Sequence, residues 1–176
     1  MLFPGFRAGA ALALASALAA CSPTLDWREV RPEGAGLLAL FPCKPSKDAR
    51  RVALAGVPLR IGLQACQAGG ATFALSFADT GDPARVAATL EALRAAAGIN
   101  LSGTPVVVGP AQVPGMTPQA LAQRVALQGR LPDGSAVRQE LLFFVKGTVV
   151  YQATVLGPHV DPAAIDAFFE GLKLGA

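Results

Sequence analysis

AVRQELLFFVKGTVVYQATVL, residues 136–156, is the stretch that decides the fold. Two runs rich in Val, Leu and Phe meet at Lys146-Gly147-Thr148, a turn signal, and each run has the length and composition of a strand. In the second run Val149, Tyr151, Ala153 and Val155 recur at every other position, so they share one buried face. Upstream, Pro132-Asp133-Gly134-Ser135 separates residues 136–146 from a further strand candidate at 120–131. Proline presets φ for the turn and glycine tolerates positive φ, so these two runs are expected to form a hairpin. Three strands joined by tight turns make an antiparallel meander.

Both sides of this meander carry helix signals. Asp82-Pro83 pairs an N-cap residue with proline at the first helical position. Val86, Leu90, Leu93 and Ala97 then recur at helical spacing, and Gly98 is expected to end the helix. The same Asp-Pro signal at Asp161-Pro162 opens a last helix that buries Ile165, Phe168, Phe169 and Leu172. The two starts share helix chemistry and are not an internal repeat. Between the first helix and the meander, residues 99–118 form a long crossing loop rich in proline and glycine around Val106-Val107-Val108. This loop, with one short strand at most, is the expected mobile segment and the first place to seek a binding surface.

Toward the amino terminus, residues 25–31 begin the first strand with Trp27 turned inward. Residues 36–41 form the second, which Pro42-Cys43-Lys44-Pro45 then interrupts. Residues 46–51 are a loop or the rising edge of the next strand. The runs 52–55 and 57–67 are divided by Gly56, and Gly69-Gly70 turns tightly into residues 71–78, where Phe73, Leu75 and Phe77 alternate with small or polar neighbours. Strands, helix, loop, meander and helix make an α+β domain: an antiparallel sheet packed by two main helices.

The first twenty residues have a different character. Arg7 is their only charged side chain, an apolar run follows from Ala8 to about Ala17, and small residues precede Cys21. The run is too short to span a hydrocarbon core, which takes roughly 20 apolar residues as a helix, and it has the three parts of a secretory signal. Leu18-Ala19-Ala20-Cys21 resembles the lipobox of bacterial lipoproteins. The resemblance implies a diacylglycerol on the Cys21 thiol, cleavage before Cys21 and a further acyl chain, such as palmitate, on the new amino terminus. Two or more chains give durable membrane attachment. Ser22 stands where the inner-membrane retention signal has Asp, which by the same resemblance points to the periplasmic face of the outer membrane. The alternative is an ordinary signal peptide, with Cys21 a plain cysteine. The organisation expected is a signal peptide at 1–20, a lipidated tether at 21–25 and one globular domain at 26–176.

Once Arg7 is removed, Lys and Arg nearly balance Asp and Glu. Arg50-Arg51 is the only adjacent basic pair and no basic stripe is interleaved with aromatics, so nucleic acid is not an expected partner. With Cys21 acylated, Cys43 and Cys66 remain. An even pair in a small exported domain points to a structural disulfide, and the alternative is two free thiols. The pair lacks C-x-x-C spacing and a neighbouring His, which argues against redox or zinc chemistry.

Candidate catalytic groups are sparse. His159, the single histidine, sits in a Gly-Pro-His loop before the last helix, with no G-x-S-x-G motif and no second His for a metal. Asp79 and Asp82 flank Gly81 but lack the other oxygen ligands of a calcium loop, so turn and cap roles are expected. Glu91, Glu140, Asp166 and Glu170 are expected on solvated faces. Gly109-Pro110 and Pro114-Gly115 are turn formers, and Tyr151 and Trp27 are core or rim aromatics. No catalytic, cofactor or metal residue is assigned.

The domain resembles the PsbP-like family. The features that carry this are Phe41-Pro42 with Pro45 near the first hairpin, the helix after Asp82-Pro83, Phe143-Phe144-Val145-Lys146-Gly147 leading to Val150-Tyr151-Gln152, and Phe168-Phe169 with Leu172. The resemblance implies an α/β/α sandwich, and it carries no function, because each match is a packing motif. The expected role is a noncatalytic envelope lipoprotein that docks on another envelope protein in assembly or maintenance; the alternative is a binder of a small ligand or metal. A filled interior favours docking, and an apolar pocket between sheet and last helix favours a ligand.

Overall fold

The computed structural model describes residues 24–175, which form an α+β domain dominated by strands. The strands are β1 (Arg28–Val30), β2 (Leu37–Phe41), β3 (Ser46–Leu54), β4 (Val57–Ala68), β5 (Ala71–Asp79), β6 (Val106–Pro110), β7 (Gln123–Arg130), β8 (Ala136–Lys146), β9 (Val149–Gly157) and β10 (Lys173–Leu174). The helices are α1 (Pro83–Leu101) and α2 (Pro162–Glu170). Seven strands make one large antiparallel sheet in the order β3-β4-β5-β9-β8-β7-β6.

The 136–156 stretch forms the β8–β9 hairpin at the heart of this sheet, and alternation sends its side chains both ways. Leu141, Phe143, Val145 and Val150 join a core that includes Val86, Leu90, Ala97 and Leu101 of α1. Leu142, Phe144, Tyr151, Ala153 and Val155 join the opposite core with Ile165, Phe168 and Phe169 of α2. The strand is covered on both faces, which explains its near-continuous apolar run. Phe144 and Tyr151 are register partners, and their rings stack at 4.7 Å.

Two differences from the sequence reading concern elements. First, β1 and β2 leave the meander and pair with the C-terminal β10 in a separate three-stranded sheet. Pro42-Cys43-Lys44-Pro45 breaks the ladder, and β2 is then free to lie over α2, where Phe41 meets Phe168 edge-on at 5.1 Å. Second, α1 continues past Gly98 to Leu101 and closes on Ser102 in the left-handed region, φ 49°. Gly98 is a contact residue: a Cβ there would stand 2.9 Å from the Gly103 carbonyl oxygen and 3.1 Å from Pro105. The Asp-Pro starts behave as read, with Asp82 accepting from the Ala84 N–H at 2.9 Å and Asp161 from the Ala163 N–H at 2.9 Å.

Cys43 and Cys66 form a disulfide, Cα–Cα 6.0 Å, that fastens the segment after β2 to β4. A second tie is the Tyr151 hydroxyl, which donates to the Ala35 carbonyl at 2.6 Å. Both join the small sheet to the large one. Burial raises the Tyr151 pKa, helped by the negative charge of Asp79, to about 12.

Candidate functional site

Among the described residues Glu140 and Asp166 are joined through Arg124, and the other candidate groups do not gather as a site. His159 is exposed before α2. Among the described residues no three His, Cys, Asp or Glu side chains gather as a metal centre, and no helix is long and apolar enough to cross a membrane. Asp79 and Asp82 serve a turn and a cap. Asp79 accepts from the Thr148 hydroxyl at 2.6 Å and the Gly81 N–H at 2.8 Å, and these bonds, the hydroxyl foremost, lower its pKa. Leu18, Ala19, Ala20 and Cys21 lie outside the described residues.

Glu140 departs from the sequence reading. It is 2% exposed, not solvated. Strand parity places it on the face of Leu142 and Phe144, and two arginines cover it: Arg138 Nη2 at 2.7 Å and Arg124 Nε at 3.3 Å. Arg124 also reaches Asp166 of α2 at 2.8 Å and lies over the Phe169 ring, 5.4 Å from its centroid. This is a clasp that seats α2 on β7 and β8. Its carboxylates and guanidiniums are paired with one another.

The edge strand β6 has a different character. The large aliphatic side chains left exposed among the described residues are Ile99, Val106, Val107 and Val108, and all four lie on β6 or the last turn of α1. Strand β6 pairs only with β7, so its other edge keeps unpaired backbone groups, and the register shifts between Val107 and Gly109. No ionisable side chain occurs anywhere in residues 95–123. By contrast the opposite edge strand, β3, carries Lys47, Asp48, Arg50 and Arg51, charges that discourage an added strand. The sequence singles out the 99–118 loop as a binding surface. The uncharged run around it was an available signal that the reading missed.

A cleft of about 970 Å³ lies over β3, β4 and β5. Its floor is Gly62 and its register partner Phe77, whose ring fills the space where a Cβ would stand. Arg31, Lys47 and Arg60 line the cleft together with Glu33, Asp48 and Asp79, and none of the three cations makes an ion pair among the described residues. The space between the large sheet and α2 is filled by Phe41, Phe73, Phe144, Tyr151 and Phe168, each at most 1% exposed.

No protein-family model matches the chain, and no curated protein matches it.

Proposed function

We propose that this chain is a lipoprotein of the bacterial cell envelope, anchored through Cys21 on the periplasmic face of the outer membrane, whose domain is a noncatalytic docking module for another envelope protein. The observation that carries the docking role is the β6 edge. An uncharged, aliphatic edge strand with unpaired backbone groups suits the addition of an extended segment from a partner: its backbone supplies hydrogen bonds and its side chains meet Val106 and Val107. The filled interior beneath α2 supports docking over ligand storage. Two helices packed on opposite faces of the large sheet support a PsbP-like α/β/α arrangement.

A second reading, a binder of a small ligand, draws on the cleft above Phe77, where three unpaired cations and three carboxylates surround an aromatic floor. The two readings separate in one experiment. The protein is crosslinked in its own cells and purified from membranes, in wild-type form and as Cys21→Ala. A stoichiometric protein partner that is lost with the anchor supports docking. An acylated, membrane-bound protein without a partner contradicts it and favours the cleft.

A further inference from the structure

We infer that the end of the domain formed by the β4–β5 turn, the β7–β8 turn and the last turn of α1 rests on the bilayer surface, with Ile99 entering the headgroup layer. The inference rests on the reading of Cys21 as acylated and adds an orientation to it.

Chain length sets the geometry. From Cys21 to Thr24, the first described residue, there are only three peptide units, a reach of at most about 11 Å. At Leu25 the chain lies against the β4–β5 turn: a Cβ on Gly69 would stand 3.3 Å from Leu25 Cδ2. The Asp26 N–H, bonded to the Pro42 carbonyl at 2.8 Å, holds this approach. A short tether attached there keeps this end of the sheet beside the membrane.

Register shows what else lies at that end. Ala68 faces Ala71 across the β4–β5 turn, Arg130 faces Ala136 across the β7–β8 turn, and Arg138 faces Gly157 where β9 finishes. The end of α1 lies there too, because Gly129 of β7 packs against Leu101 so closely that a Cβ would overlap the Leu101 carbonyl. On the turn of α1 before it, Ile99 is 77% exposed. Ala95, Gly98, Ser102, Gly103, Thr104 and Pro105 surround it in a shallow uncharged hollow of about 440 Å³. The opposite end of the sheet carries Asp79, Asp82 and Lys146 and faces away from the tether.

An apolar side chain in an uncharged hollow at the anchored end, with Arg130, Asp133 and Arg138 on and beside the neighbouring β7–β8 turn, fits a lipid surface. It lies three strands across the sheet from the tether, about 15 Å at ordinary strand spacing, so anchor and Ile99 make two separate points of attachment. Two points fix an orientation where one leaves the domain to swivel. Strand β6 then runs away from the membrane, with its edge open to a partner at the surface.

The test uses acylated protein purified from membranes and reconstituted into vesicles of phosphatidylethanolamine and phosphatidylglycerol. Nitroxide labels are placed at Ile99→Cys and, on the opposite end, at Ala55→Cys; both sites are exposed and leave Cys43 and Cys66 bridged. The expected result is a several-fold fall in collision with a water-soluble nickel chelate at position 99 on reconstitution, with position 55 unchanged. Equal chelate access at both positions, in protein whose amino-terminal peptide carries its acyl mass, overturns the orientation alone. An unacylated amino-terminal peptide overturns the anchor reading and the orientation with it.

Discussion

Glu140 is a buried carboxylate on a strand covered on both faces, a situation that alternation alone does not announce. Parity was informative all the same: counting back by twos from Phe144 and Leu142 places Glu140 on the face that α2 covers. What the sequence hides is that Arg124, 16 residues earlier on the neighbouring strand, reaches over to pair with it. Because Arg124 also holds Asp166 and stacks on Phe169, Arg124→Ala is expected to cost more than Arg138→Ala, on the order of 1–3 kcal/mol in urea unfolding. Equal losses would deny that the clasp seats α2. Tyr151 is the single tyrosine, so its titration is read directly from phenolate absorbance, with a midpoint expected near 12. Its folded pKa lies above the unfolded value near 10, so the stability it contributes is complete below about pH 10 and is lost as pH rises through the folded value. Tyr151→Phe should remove that alkaline loss, together with about 1 kcal/mol for the bond to Ala35.

The regular elements were legible because their signals are local. Asp-Pro helix starts, two-residue glycine turns and period-two faces act within a few residues, and each element they mark is present. The ends that shifted depend on distant packing. Gly98 reads as a helix stop but is a small residue under the Gly103–Pro105 segment, and β2 pairs with a strand at the other end of the chain. The β3–β4 turn belongs to the same group. Ala55, read as the last residue of a strand, is the first turn residue at φ 50°, followed by Gly56 at φ 77°. Left-handed backbone is costly for any residue with a Cβ, so Ala55→Gly is expected to raise stability by about 1 kcal/mol in thermal or urea unfolding. No gain would mean that the turn tolerates the Ala without strain. The Cys43–Cys66 bridge closes a loop of 23 residues, and reducing it should lower stability by about 3 kcal/mol, measured as a shift of the unfolding midpoint with reductant.

At the scale of the whole molecule, most of the site was latent in composition. The absence of ionisable groups across residues 95–123 and the triple valine inside that run are visible without coordinates. Their meaning needed the fold, which puts Val106 to Val108 on a sheet edge and not in the core. Charge then separates the two edges: β3 is guarded by Lys and Arg, whereas β6 is open to an added strand. The central claim is that this open edge receives a partner while the chain is anchored. The direct measurement is site-specific photo-crosslinking in cells, with the photoreactive residue at Val107 or, as control, at Arg50 of β3. The account predicts one discrete protein adduct from position 107, none from position 50, and loss of the adduct in Cys21→Ala. The same adducts from both edges, or no adduct from Val107 in a membrane-bound, acylated protein, would contradict it.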